Sequence, residues 1–303
     1  MSILITDGKI FYQNELVDMD IFVGDDGKTV IASSIDVESD NVVDGVGCIV
    51  IPSLINPYIK NYVEDTIIDS SIKGGYSTNC LASSNAKADL EMTKFKFINN
   101  AVVFTDDLGY ISNGKCFGYL GNALNEEVIK VLEENEAMLV YTGDNLSLLK
   151  DMDIPIYVSD ININSIDEII KLKENNNDLS CGVNIEKLLN DSNVYINYLK
   201  NGIIDMIEVD EDLTLEYSFG LLYSKLVKTN KLELNDLINL LSYNPADYFG
   251  LTGGEILNFE IANFAVFDVH TSDRINKGKF KTNYSQAKCL ALVVDGDIVY
   301  KED

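Results

Sequence analysis

The sequence predicts an α/β protein, and three observations carry that prediction. Short apolar runs in the middle of the chain, among them Met138-Leu139-Val140-Tyr141, Ile156-Tyr157-Val158 and Ile203-Ile204-Asp205-Met206-Ile207, read as buried strands. Segments with helical spacing lie between them, which favours parallel strands joined by helices. Both ends of the chain lack that rhythm and consist of extended runs punctuated by Asp-Gly pairs. Periodicity alone admits a closed barrel or an open doubly wound sheet.

From the N-terminus, Ile3-Leu4-Ile5-Thr6 and Lys9-Ile10-Phe11-Tyr12 flank Asp7-Gly8, and Asp20-Ile21-Phe22-Val23 and Thr29-Val30-Ile31 flank Asp25-Asp26-Gly27. Asp-Gly suits a type I′ hairpin, because glycine accepts positive φ without a Cβ clash. Val128, Ile129 and Leu132 mark a helix ahead of the 138–141 strand. Ser165-Ile166-Asp167-Glu168 has the spacing of a capping box opening a helix with Ile169, Ile170 and Leu172 on its apolar side. A long helical region runs from about Leu215 to Lys228. A further amphipathic helix carries Leu234, Leu237, Ile238 and Leu241, and Pro245 should stop it near Tyr243-Asn244. Leu290 to Val294, Asp295-Gly296 and Asp297 to Tyr300 form a last hairpin, so the two β-rich ends can join into one discontinuous domain.

A chain of 303 residues with 46% hydrophobic and 24% charged residues can bury a large core. Its net charge of −26 opposes nucleic acid and anionic membranes, and suits a solvated acidic surface or a basic partner. The N-terminus lacks the basic flank and apolar region of a secretory signal, and no apolar run approaches the roughly 18 residues of a membrane span. Five scattered cysteines (Cys48, Cys80, Cys116, Cys181, Cys289) without a Cys-x-x-Cys pair read as reduced core thiols of a cytoplasmic protein.

Several blocks resemble dihydroorotase, within the cyclic amidohydrolases. Ile51-Pro52-Ser53-Leu54-Ile55-Asn56-Pro57-Tyr58-Ile59-Lys60 is similar to the family's first barrel strand, L-P-G-x-I-D-P-H-V-H. Gly74-Gly75-Tyr76-Ser77-Thr78 resembles its Gly-Gly-aromatic-Thr-Thr strand, Ser84-Asn85 its M-P-N substrate turn, and Phe104-Thr105-Asp106-Asp107 an F-T/S-D-D stretch. The segment 201–210, ending in Glu208-Val209-Asp210, resembles the strand that ends in A-T-D-H. Asn244-Pro245-Ala246 through Phe249-Gly250-Leu251 resembles N-P-A-x-x-F-G-L, and Ala262 to Asp268 the strand returning to the small β domain. The resemblance implies a (β/α)8 TIM-type barrel over 53–253, short enough to suggest trimmed loops or a missing unit. It also implies a small β-sandwich from 1–52 and 254–303.

The family's hydrolysis uses zinc, held by imidazoles and carboxylates, to polarise a cyclic amide and activate water. Here the resemblance places Tyr58, Lys60, Tyr141 and Asp160 at the histidine ligand positions. An ammonium has no lone pair and opposes a cation. The chain contains one histidine, His270, beyond the barrel segments, so a multi-histidine zinc shell is excluded by count. Asp210 matches the catalytic aspartate and stands as a relic candidate. Asp106, Asp107 and Asp210, with Glu211 and Asp212, are the carboxylates that could hold Mg²⁺ or Ca²⁺; the alternative is a hydrated acidic turn over 208–212. Asn85 is a substrate-contact candidate or a turn residue.

These residues imply a dihydroorotase-like pseudoenzyme of pyrimidine biosynthesis, with no cofactor expected. It would act as a structural or regulatory partner; the resemblance makes aspartate carbamoyltransferase the first partner to expect, since inactive dihydroorotase homologues in some bacteria associate with it. A homo-oligomer stays open. The alternatives are a repurposed amidohydrolase acting on a cyclic amide and a small-ligand sensor.

Overall fold

A computed structural model describes residues 1–82, 102–176 and 178–302. The chain opens with β1 (Ile3–Tyr12), β2 (Glu15–Val23), β3 (Thr29–Ala32), β4 (Asn41–Asp44) and β5 (Cys48–Pro52). It continues through β6 (Leu54–Ile59), β7 (Tyr76–Ala82), β8 (Val103–Thr105), β9 (Gly118–Gly121), β10 (Met138–Tyr141), β11 (Ile156–Val158), β12 (Leu179–Asn184) and β13 (Met206–Glu208). It closes with β14 (Phe264–Arg274), β15 (Tyr284–Val294) and β16 (Asp297–Lys301).

The two ends of the chain share one sheet in the order β16-β15-β14-β5-β1-β2-β3, with β4 beside β1. Its ladders are antiparallel except β1 with β4 and β1 with β5. Were it flat, β15 and β3 would lie about 24 Å apart at the usual strand spacing. Instead the Gly27 turn meets the Gly296 turn: Ala262 donates its N–H to Gly27 O (2.9 Å) and accepts from Gly296 N (3.0 Å). The sheet therefore bends round one core, which includes Ile5, Ile10, Ile21, Val50, Phe264 and Val293. Asp295-Gly296 is the expected hairpin turn, with φ 52° and 82°. Asp7-Gly8 is not a turn: β1 runs through it, and Asp7 (φ 57°) sits at an irregularity that shifts register against β2. The reversal comes at Gln13-Asn14, both at positive φ.

The second sheet has eight parallel strands in sequence order, β6 through β13, the topology of a TIM-type barrel. Its first and last strands are joined by a side chain. Asn56 on β6 donates Nδ2–H to Val209 O (2.8 Å) and accepts from Val209 N at Oδ1 (3.0 Å), reproducing a ladder step. No strand is missing, so the short length comes from the connections. One return is the single-turn helix Leu108–Ser112, and β10 reaches β11 through a four-residue 3-10 turn, Leu146–Leu149.

Local departures have local causes. The expected 203–207 strand starts later, at Met206, because Ile203 and Ile204 both donate to Tyr198 O in the preceding helix, Ser192–Lys200. Ser165 stands at the N-cap position of the helix Ile166–Asn175 but makes no side-chain cap bond; a 3-10 turn leads into the helix, and the Asn162 side chain accepts from Asn164 N (3.0 Å). Pro245 does not end its helix. A wide turn over Asn239–Tyr243 lets Asn244 N–H reach back to Asn239 O, and Pro245 falls in the first turn of Asn244–Phe249, where no N–H is needed.

By packing, the chain forms two compact units, 1–55 with 62–77 and 211–303, and 56–61 with 78–210. In the first, the helices Glu64–Gly74 and Asp212–Leu222 lie on β15, and Phe219 packs on Phe267 with ring centroids 4.3 Å apart. By strand membership, the N-terminal part of the terminal sheet ends at Pro52 and the sheet resumes with β14 at Phe264. Among the described residues, no helix is long and apolar enough to cross a membrane.

Candidate functional site

The unit 56–61 with 78–210 contains the ends of the barrel strands, and its polar side chains gather there. Glu208, the last residue of β13, is fully buried. Its Oε1 accepts from the Tyr157 hydroxyl (2.6 Å) and the Asp160 backbone N–H (3.0 Å), and its Oε2 from Ser159 Oγ (3.0 Å). Burial pushes the carboxyl from 4.5 to about 8; the charge of Asp160 adds to the rise and the three donors oppose it. Gly182 on β12 makes room for this group. A Cβ there would come within 2.5 Å of Glu208 Oε1 and closer still to the Tyr157 hydroxyl.

Next to this network lies an ion pair. Asp160, at the end of β11 and at φ 51°, receives Lys187 Nζ on its Oδ2 (2.9 Å) and on its backbone carbonyl (2.8 Å). Burial raises its carboxyl, and the Lys187 hydrogen bond and charge work against that rise. Tyr58 is buried at the end of β6. Desolvation, then the charges of Glu208, Asp210 and Asp160, hold its phenol proton far above neutral pH. Lys60 is exposed beyond the same strand. Tyr141 is fully buried and donates to Asn145 O (2.9 Å).

The other sequence candidates separate. Asp210 follows β13, half-buried, and its carbonyl accepts from Asn61 N (3.1 Å). Asp106 and Asp107 are exposed, and Asp107 caps the helix Leu108–Ser112 by accepting from Gly109 N (2.8 Å). Glu211 accepts from Thr214 Oγ1 (2.9 Å), while Asp212 holds Val63 N (2.7 Å). The stretch 208–212 is thus not simply a hydrated turn: its first carboxylate is interior, and its last two hold backbone and helix start. Asn85 lies outside the described residues. His270 is exposed on β14 of the terminal sheet. Among the described residues, no three His, Cys, Asp or Glu side chains are grouped to hold a metal ion.

Residues 126–299 match the model of the Amidohydrolase family. The chain belongs to that family. Within this amidohydrolase, 97 residues are 35% identical to a dihydroorotase of Geobacillus sp. (strain WCH70), covering 29% of this chain and 23% of that protein. A dihydroorotase of Brevibacillus brevis is 32% identical over 130 residues, 34% of this chain and 30% of that protein. These matches span less than a third of the curated relatives. By fold, the chain is similar to a D-hydantoinase from Thermus sp., with a TM-score of 0.78 at 13% identity over 99% of this chain and 95% of that one. A β-aspartyl dipeptidase from Fervidobacterium islandicum AW-1 gives 0.71 at 13% identity over 99% and 97%. The amidohydrolase is dihydroorotase-like in sequence and hydantoinase-like in fold.

Tested against the zinc that the family implies, the donor set here does not fit. Of the four positions that the resemblance aligns with ligands, two carry neutral phenols, one an exposed ammonium, and the fourth, Asp160, is already paired with Lys187. Sequence reasoning missed Tyr157, Ser159, Lys187 and Gly182. The available clue was Glu208 itself, a charged residue closing the apolar run Met206-Ile207 with its side chain in strand register.

Proposed function

We propose that this amidohydrolase is a dihydroorotase-like pseudoenzyme in which hydrogen bonds and one ion pair occupy the place of the zinc centre. The observation that carries the reading is the Tyr157–Glu208–Ser159 network beside Asp160–Lys187. A protonated Glu208 and an ammonium-paired Asp160 leave little negative charge for a cation to satisfy. The hollow that Asp144, Ser159, Asp160 and Asn162 line measures about 40 Å³. Sites for small molecules usually measure roughly 300 Å³ or more. Metal analysis of the purified chain, with turnover assays on dihydroorotate and hydantoins, tests the proposal. Bound zinc or turnover above background would overturn it.

The same reading gives the chain a structural or regulatory role in pyrimidine biosynthesis, in the cytoplasm, where its five free thiols stay reduced. Aspartate carbamoyltransferase is the first partner proposed. Co-elution of the two at micromolar concentration is the expected result, and separate elution counts against the partner without touching the loss of chemistry. Asp210 motivates one other reading, a repurposed hydrolase of a cyclic amide, since it stands directly after β13 beside Tyr58. Turnover that disappears in Asp210→Asn would favour it.

A further inference from the structure

A second feature lies wholly within the unit built on the terminal sheet. A groove of about 420 Å³ is walled by Tyr243, Ala246, Leu251, Leu257 and Ile261, with Asp247, Glu255 and Glu260 along it. Among the described residues, no Lys, Arg or His lines it. Tyr243, Leu257 and Ile261 are each more than 40% exposed, and Phe259, between the wall residues Leu257 and Glu260, is 65% exposed. A smaller hollow shares Tyr243, Gly254, Glu255 and Leu257 and extends the groove toward the Gln13-Asn14 turn.

Phe259 is held outward by its surroundings. Its φ is 67°, a region that a bulky residue enters only under constraint. The constraint comes from β3: Phe259 N donates to Thr29 O (2.8 Å), Thr29 N to Glu260 O (2.9 Å), and Ile31 N to the Asn258 side chain (2.9 Å). The buried Thr29 hydroxyl donates to Leu257 O. The turn is therefore pinned at four points while its phenylalanine stays in water, a costly arrangement for a residue serving only the fold.

We infer that this groove docks a polypeptide segment of a basic partner, one that offers an apolar anchor flanked by lysine or arginine. Charge complementarity selects that occupant. Apolar walls with three carboxylates and no cation reject acidic segments and favour basic ones. A second copy is disfavoured because each chain carries a net charge of −26. The inference does not depend on the state of the barrel chemistry, so either can fail alone.

The test uses the full chain and labelled peptides in which a leucine and a phenylalanine are flanked by arginines. Two control peptides replace the arginines with glutamate or the apolar residues with serine, and binding is read by fluorescence anisotropy at low and physiological salt. The basic apolar peptide should bind, and both controls should bind roughly tenfold more weakly or worse. Phe259→Gly should lose binding to a similar extent while its melting temperature stays level or rises, because glycine suits the positive φ. Glu255→Gln with Glu260→Gln should flatten the salt dependence. Equal binding of the serine control, full binding by Phe259→Gly, or no binding of the basic apolar peptide would overturn the inference. So would a dimer in light scattering that Phe259→Gly dissolves, since that would make a second copy the occupant.

Discussion

Glu208→Gln is the substitution that reports most directly on the interior of the barrel. Its carboxyl is raised from 4.5 to about 8, burial being the leading cause. A group whose folded value lies above its unfolded one stabilises fully below the unfolded value, and loses that contribution as pH climbs through the folded value. Across the interval from 4.5 to about 8, the loss amounts to roughly 5 kcal/mol at 1.36 kcal/mol per pH unit. That is comparable with the whole stability of many domains. The hydrogen bonds show why glutamine can replace the neutral acid. Oε1 already takes two donors, Tyr157 and Asp160 N–H, as an amide oxygen can, while Oε2 accepts from the Ser159 hydroxyl, which can turn to accept from an amide NH2. Urea unfolding of both proteins from about pH 5 to about pH 9 should therefore give similar stabilities at the acid end. At the alkaline end, Glu208→Gln should be the more stable by several kcal/mol. Parallel pH profiles, or a glutamine variant weaker by several kcal/mol at every pH, would show that the buried group is a carboxylate bound by its donors, and would refute the reasoning.

Three further outcomes follow from the same unit. Gly182→Ala should cost about 2–4 kcal/mol, since its methyl would enter the space of Glu208 and the Tyr157 hydroxyl; a loss under ~1 kcal/mol in denaturant unfolding would contradict that packing. Asn56→Ala should cost about 2–5 kcal/mol by stranding the buried N–H and C=O of Val209, and amide exchange at Val209 should accelerate; unchanged protection would mean that the strands close without the side chain. Lys187→Met removes a pair whose members are each more than a third exposed, so after solvent screening the loss should be about 1 kcal/mol. It should also move the Asp160 carboxyl further upward, read by NMR titration; a downward move would place another cation beside it.

The fold was legible where chemistry and spacing coincide. Asp295-Gly296 announced its hairpin because a two-residue turn demands positive φ at both positions, and the strands Met138–Tyr141 and Ile156–Val158 were plain because an apolar run in this rhythm has few other uses. Asp7-Gly8 carried the same local chemistry but lies inside β1, where pairing with β2, β4 and β5 overrides it. That the chain has a single histidine, too few for a multi-histidine shell, needed only a count. The Glu208 network was not legible, because it depends on which side chains point inward at the barrel's end: Tyr157, Glu208 and Gly182 come from three different strands. A local reading puts Glu208 with its acidic neighbours in water; only the strand register separates it from them.

On the proposed reading, that register also explains why such a barrel would not lose its imidazoles alone. Asp160, Glu208 and Asp210 all act on the Tyr58 phenol, so three carboxyls share one end of the barrel. With a metal centre, its cations would offset such a concentration of charge; without one, mutual repulsion and desolvation would oppose folding. The chain has two substitutes: Lys187 pairs with Asp160, and burial favours a proton on Glu208. Tyr58 and Tyr141 supply bulk without charge at two positions that the resemblance aligns with ligands. On the proposed reading, these replacements form one connected change. Returning a histidine to position 58 alone would, on that reading, set its imidazole near an Asp160 that already has an ammonium and a Glu208 whose burial favours a proton, so zinc binding should not return.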